Sequence, residues 1–158
     1  MEYISSLLQA IPAAPQVYCE NRAVNAIVSH YAALFRERGV DADIRLDVPV
    51  QTEQAADAEL CVIFGNLLEN ALEACGSMTE GRRFVRLSST VHLDMLTVTM
   101  DNSFDGQVEH EDGRYRSSKR DDFGVGLSSI QAVAHKHSGG ARFDPDGLAF
   151  RSSVYVKV

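Results

Sequence analysis

The chain has no excess of positive charge: 15 Lys and Arg stand against 22 Asp and Glu, a formal net charge of −7. Binding a polyphosphate backbone calls for basic surface, so nucleic acid is excluded as the main partner, whereas a single buried nucleotide is not. There is no paired-cysteine pattern either. Cys19, Cys61 and Cys75 are odd in number and none stands in a C-x-x-C spacing. Two of them lie among apolar residues, which reads as reduced core thiols in a cytosolic compartment. No basic leader precedes an apolar stretch, so no signal peptide is read. Residues 3–19 carry no charge, but Pro12, Pro15 and several polar residues exclude a membrane span there. The G-x-x-x-x-G-K-[ST] signature is missing, which rules out a P-loop enzyme. The glycine stretch GVGLSS lacks the third glycine of a dinucleotide-binding turn and follows a charged loop, not a strand. What is present is ordinary globular composition, 45% hydrophobic and 23% charged over 158 residues, enough for one domain with its own core.

Residues 1–16 hold a short apolar helical turn running into IPAAP, and two prolines that close end a helix and read as a linker. We take them as the remnant of a preceding helical module, and residues 17–158 as the domain. Val24, Ile27, Val28, Tyr31, Leu34 and Phe35 recur at helical spacing, with Gly39 as the stop. VDADIRLDVPV alternates apolar and charged residues, the period of a half-buried strand. A second helix is expected from a cap at Asp57 to Cys75. Two antiparallel strands follow, meeting near Leu93 and Asp94. Residues 103–123 have no apolar periodicity and many charges, and a loop of that length is usually disordered or functional. Helical spacing returns through Leu127, Ile130, Val133 and Ala134, and a hairpin around DPDG closes the chain. The predicted fold is α+β: a two-layer sandwich in which helices cover one face of a mixed, mostly antiparallel sheet.

The second helix carries an anomaly, FGNLLENALEAC at 64–75. With Asn66 set at zero and about 100° per residue, Leu60, Ile63, Leu67, Ala71 and Ala74 fall between about 60° and 140°, the core face. Asn70 lies at about 40°, Glu73 at about −20° and Glu59 near 20°, so the polar side chains form one stripe along the edge of that face. Asparagine is a poor helix former, used mid-helix mainly where its side chain has a task. Its neutral amide oxygen suits Mg²⁺, which takes one or two protein oxygens beside phosphates and water. Alone, the stripe also fits a helix edge that faces water.

The stripe has company: NLLENALEA is followed by VTMDNSFDG, a charged loop and GVGLSSIQAVAHKHSGG. This ordered set resembles the catalytic, ATP-binding domain of sensor histidine kinases, members of the GHKL superfamily with gyrase and MutL. The flavour is that of the peptide- and metabolite-sensing kinases. The resemblance covers residues 17–158. It implies a Bergerat-type fold with a long ATP lid, ATP and Mg²⁺ as ligands, and phosphoryl transfer to a histidine. By this resemblance Asn70 is the Mg²⁺ ligand and Asn66 its companion one turn earlier, in the phosphate site. Asp101 matches the aspartate that accepts from the adenine amino group, with Ser103 beside it. Gly124, Val125, Gly126 and Leu127 form the G-x-G-L turn, where backbone N–H groups and a helix N-terminus favour anions. In the lid, Arg114, Arg116, Lys119 and Arg120 are the cations for the γ-phosphate, with Lys119 and Arg120 the closest to the glycine turn.

Three departures qualify the pattern. Ser103 and Asp105 replace the two glycines of D-x-G-x-G, and Glu73 and Ala74 stand where many kinases have a basic residue and an aromatic. Where hydrolytic members carry a glutamate base, this chain has Asn66, whose amide cannot take a proton from water. That favours handing the phosphoryl group on over hydrolysing ATP. His30, His92, His110, His135 and His137 lack the context of a phosphoacceptor. The acceptor is therefore expected on dimerisation helices upstream of Met1, with a response regulator as the further partner. The domain would be the cytosolic part of a membrane-bound sensor, with no membrane contact of its own. Two alternatives stay open: an anti-sigma-type protein serine kinase, or a docking module that has lost ATP binding.

Overall fold

The structure is a computed structural model that describes residues 16–106, 108–111, 114–117 and 124–158, with the backbone alone for 108–111, 114–117 and Gly124. Helix α1 spans Arg22–Glu37; Asn21 caps it, its side-chain oxygen accepting from the Val24 N–H at 3.1 Å. Val24, Val28, Ala32 and Phe35 give it one buried stripe. Gly39, at a φ of 71°, supplies the left-handed residue that ends the helix and turns the chain into the sheet. Strand β1 covers only Asp41–Arg45, shorter than the alternating run promised. Beyond it the backbone N–H of Asp47 donates to the Ser89 hydroxyl, which in turn donates to the Asp47 carbonyl, and Val48 is still buried. The alternation thus continues without a strand partner.

Helix α2 runs Asp57–Gly76. The expected cap at Asp57 is corrected: Ala56 holds the cap position, and Glu59 reaches back to accept from the Ala56 N–H at 3.1 Å. Asp57 instead accepts from Asn21 Nδ2 at 3.0 Å, tying the starts of the two helices together. The buried face of α2 is wider than the predicted arc, because Phe64, Leu68, Leu72 and Cys75 are buried too. Two neighbours explain the width, since α1 covers one flank while the sheet covers the other. Gly65 permits the close approach of α1: a Cβ there would lie 2.7 Å from Ile27 Cδ1.

Strands β2 (Phe84–His92) and β3 (Met95–Ser103) pair antiparallel. They turn at Leu93, which takes a left-handed φ of 57°. The stretch read as a loop carries two short strands, β4 (Val108–Glu111) and β5 (Arg114–Ser117), paired with each other outside the main sheet. Their polar sequence gave no apolar alternation from which to foresee them. Helix α3 spans Gly124–Lys136, and β6 (Gly140–Asp146) and β7 (Ala149–Lys157) form the final hairpin. The main sheet has the order β1-β2-β3-β7-β6, with β1 parallel to β2 and every other pairing antiparallel. The helices contribute Phe35, Leu60, Ile63, Leu67 and Ile130 to one core with Leu87, Leu96, Val98 and Val154 of the sheet. The α+β sandwich read from the sequence is the observed fold.

Candidate functional site

Helix α3 lies along the polar stripe of α2. Its N-terminal turn meets Asn66 and Asn70: a Cβ on Gly126 would stand 3.1 Å from Asn66 Oδ1 and 3.6 Å from Asn70 Oδ1. At the other end of α3, His137 Nε2 lies 2.9 Å from Glu59 Oε1 and Lys136 Nζ lies 3.0 Å from Glu59 Oε2. Asn66, Asn70 and Glu59, placed on one line by a rotation of about 100° per residue, are therefore turned toward the same neighbour, whereas the charge of Glu73 is felt at Tyr31 on α1. The stripe is the seam between two helices, and the sequence stretches NLLEN and GVGL meet there.

Each amide at this seam is held differently. Asn66 Nδ2 donates to the Val62 carbonyl one turn back at 2.8 Å, which fixes its side chain along its own helix. Asn70 Nδ2 is buried and has no hydrogen-bond partner among the described residues. Leaving a buried amide donor unmade costs about 1–3 kcal/mol, so such an atom marks a site built for something besides stability. Among the described residues no three His, Cys, Asp or Glu side chains converge on a common metal position. A hard cation at this seam would draw on the neutral amide oxygens of Asn70 and Asn66 and complete its shell with ligand oxygens and water. That donor set suits Mg²⁺ held together with phosphates.

Asp101 is not brought to this seam. Strand β3 turns Leu96, Val98 and Met100 inward to the helices, so the pleat sends Asp101 to the opposite face of the sheet. There its side chain is 42% exposed and its carboxylate lies 3.9 Å from Arg151 Nε. It lines an outer cleft of about 420 Å³ with Asp43, Arg45, Arg86, Leu87, Ser88 and Thr99. The residue that β3 does present inward at this end is Asn102, only 2% exposed. Strand parity is the signal in the sequence that puts these two neighbours on opposite faces.

Residues 56–157, well over half of the chain, match the family model described as the GHKL domain. The chain belongs to the GHKL family. No curated protein sequence matches it. Among solved structures it is similar to the nucleotide-free catalytic domain of histidine kinase ThkA, at 17% identity and a TM-score of 0.64, with 87% of this chain and 90% of that one covered. It is also similar to the Acinetobacter baumannii histidine kinase AdeS, at 12% identity and a TM-score of 0.59, covering 99% of this chain and 79% of that one. For the mycobacterial sensor histidine kinase MprB the values are 13%, 0.56, 85% and 93%. At these identities the likeness is one of fold: this GHKL domain has the architecture of histidine kinase catalytic domains.

The other residues singled out in the sequence fall as follows. Leu127 is buried and anchors α3, while Val125 is exposed and Gly124 opens the helix. The Ser103 hydroxyl accepts from the Phe84 N–H at 2.9 Å and lies 3.5 Å from Cys75 Sγ, so its commitments are to the neighbouring strand and to α2. Lys119 and Arg120 lie outside the described residues, and Arg114 and Arg116 lie on β5, where the backbone alone is described. Among the described residues no helix is long and apolar enough to cross a membrane.

Two polar contacts around the site escaped the sequence reading. The Tyr31 hydroxyl donates to Glu69 Oε2 at 2.7 Å, linking α1 to the residue before Asn70. Burial, reinforced by that bond and by the charges of Glu69 and Glu73, pushes the tyrosine pKa up to about 12. The Glu59 carboxyl is pulled down to about 2, first by its bond to His137 and then by the Ala56 N–H and Lys136. Tyr31 had been read as one more apolar position. Glu59 had been placed on the stripe, but nothing in the sequence pairs it with a residue 78 positions later.

Proposed function

We propose that this GHKL domain binds Mg²⁺–ATP at the α2–α3 seam and donates the γ-phosphoryl group to a histidine on a helical dimerisation module, as the catalytic domain of a two-component sensor kinase. The observation that carries the reading is the meeting of Asn66, Asn70 and Gly126, residues from two motifs, beside a buried amide donor without a partner. Asn70 would be the protein ligand of the metal, with Asn66 behind it. Mg²⁺ supplies charge neutralisation between the phosphates. The missing Cβ at Gly126 lets the first turn of α3, where unpaired backbone N–H groups favour anions, come up against Asn66 and Asn70. Lys119 and Arg120 are the cations the sequence offers for the γ-phosphate.

Transfer is favoured over hydrolysis by the same residues. The position one turn before Asn70 holds an amide, which cannot take a proton from water. Glu69, the nearest carboxylate in sequence, accepts from Tyr31 on the α1 flank, away from the seam. A response regulator would then receive the phosphoryl group from the histidine, and the domain would work on the cytosolic side of a sensor.

Thermal unfolding with Mg²⁺ and a non-hydrolysable ATP analogue tests the reading. At a hundred times the dissociation constant the ligand adds about 2.7 kcal/mol of stability. Asn70→Ala should fold at least as well without ligand, because it removes the unpaired donor, yet lose most of the Mg²⁺-dependent shift. A parent protein indifferent to the analogue would end the proposal.

A further inference from the structure

We infer that the outer face of the sheet docks a second copy of this chain, sheet against sheet, through the row Asp43, Arg86, Asp101 and Arg151. This face lies on the far side of the sheet from the α2–α3 seam, so the inference is independent of the nucleotide reading.

The row follows from strand register. Asp43 of β1 pairs with Arg86 of β2, Arg86 with Asp101 of β3, Asp101 with Arg151 of β7, and Arg151 with Asp144 of β6. Their chain neighbours Ile44, Leu87, Met100, Phe150 and Phe143 turn inward to the core, so the charges stand together on the outer face. One line across the sheet therefore reads minus, plus, minus, plus, minus, at the strand spacing of about 4.8 Å.

The charges at the centre of the row are not used up within the chain. Asp101 lies 3.9 Å from Arg151 Nε, and Arg151 Nη1 lies 3.7 Å from Asp146, both loose contacts. Arg86 makes no ion pair among the described residues; its guanidinium lies over the Phe84 ring, 5.3 Å from the centroid. Beside the row run the short side chains Ser88, Thr99 and Ser153, with Ser88 Oγ 2.8 Å from Thr99 Oγ1. They leave the cleft of about 420 Å³ open to side chains from a facing surface.

The spacing selects the occupant. A helix presents successive charges about 5–6 Å apart and a single extended strand about 6.6 Å apart, whereas another sheet presents them at the same 4.8 Å or so. An alternating row is also complementary to itself once displaced by one strand. A two-fold axis parallel to the strands, between β2 and β3, sets β2 of each copy over β3 of the other and β1 over β7. Arg86 then meets Asp101 of the partner subunit and Asp43 meets Arg151 of the partner subunit, each pair occurring twice by symmetry. Stacked sheets cross at about 30°, which keeps the central Arg86–Asp101 pairs closest. A formal charge of −7 repels copies in general, but two aspartates and two arginines make this row locally neutral. An overlap of these strands over about 23 Å covers roughly 400 Å² per copy, the range of weak, reversible contacts.

The experiment is sedimentation of the full chain, without nucleotide, at concentrations up to about 1 mM in low salt. The parent should dimerise reversibly, with a dissociation constant on the order of 0.1–1 mM that rises roughly tenfold between about 0.05 and 0.5 M salt. Arg86→Glu and Asp101→Arg each set like charges opposite one another and should sediment as monomers. Mixed in equal amounts the two variants should associate, because the acidic columns of one then face the basic columns of the other. Arg142→Glu changes the net charge as much as Arg86→Glu does, but it lies on β6 outside the overlap and should dimerise within about threefold of the parent. A monomeric parent overturns the inference whether or not the variants fold, and leaves the row to solvent or to a different protein. A mixture of the two variants that stays monomeric overturns it as well, and so does an Arg142→Glu chain that loses as much association as Arg86→Glu.

Discussion

Gly126 stands against Asn66 with no room for a side chain between them: a Cβ on the glycine would lie 3.1 Å from the amide oxygen. The contact joins the first turn of α3 to the middle of α2. It converts two weak motifs, each open to an ordinary explanation, into one wall.

A methyl group introduced by Gly126→Ala separates stability from binding. Alanine gains up to about 1 kcal/mol over glycine inside a helix. Against that, Asn66 must give by a few tenths of an ångström, and its bond to the Val62 carbonyl resists the shift. The two effects nearly cancel, so the midpoint of urea unfolding should move by no more than the equivalent of about 1 kcal/mol. Affinity for a Mg²⁺–ATP analogue should fall roughly tenfold or more, because making room for the methyl displaces Asn66 from the helix start that it adjoins. Unchanged calorimetric affinity would show that this seam is packing and no more.

Gly139 has a structural task with a sharper cost. After Lys136 the chain turns through Ser138, at a φ of 59°, and the Gly139 N–H returns to the Ala134 carbonyl at 2.8 Å. A Cβ on Gly139 would lie 1.7 Å from the backbone oxygen of Tyr155, an overlap that no side-chain adjustment relieves. Either the end of α3 lifts or β7 shifts, and the Lys157 N–H bond to the His137 carbonyl goes with it. Gly139→Ala should cost about 3 kcal/mol or more. Chemical denaturation reads this directly, and a loss under about 1 kcal/mol would mean that the close approach is easily released.

The order and type of the main elements were legible in the sequence because their apolar periods are clean. Val24, Val28 and Phe35 share one face of α1, and Leu96, Val98 and Met100 alternate along β3. The stripe of Asn66, Asn70 and Glu59 could likewise be drawn from helix geometry alone. What lay across from it could not, because rotation about an axis says which residues share an edge and nothing about what packs there. Two departures at residue level have definite causes. Asp57 resembles a cap by type, yet the carboxylate of Glu59 reaches the Ala56 N–H and leaves Asp57 to Asn21. Asp101 was taken up because it matches the family's aspartate, and the pleat of its own strand turns it to the outer face of the sheet, away from the asparagine stripe.

The Glu59 cluster predicts a stability that depends on acid. Its carboxyl titrates at about 2 in the folded protein against an ordinary 4.5, the bond to His137 being the largest cause. A depressed folded-state value means that the contribution is fully present above pH 4.5 and is lost as pH falls toward 2. Glu59→Gln should therefore unfold more readily at pH 6, by an amount on the order of 1 kcal/mol for hydrogen bonds to a charged group. The gap between variant and parent should close on acidification. Urea titrations at several pH values measure it, and a gap independent of pH between 6 and 3 would remove the carboxylate from the account.

The Tyr31–Glu69 bond makes the opposite prediction at the alkaline end. A phenol raised from 10 to about 12 favours the folded state in its neutral form, so the contribution holds below pH 10 and is lost as pH climbs through about 12. In the phenolate absorbance one of the chain's five tyrosines should titrate late, and Tyr31→Phe should remove that late step. The same substitution should cost about 1 kcal/mol at neutral pH, the usual worth of one intramolecular hydrogen bond. Glu69 lies on the flank of α2 that faces α1, whereas Asn66 and Asn70 face α3. Nucleotide affinity should accordingly survive Tyr31→Phe within about twofold. A large loss of affinity would instead show that the Tyr31–Glu69 link sets the position of the turn that carries Asn70, making α1 part of the site.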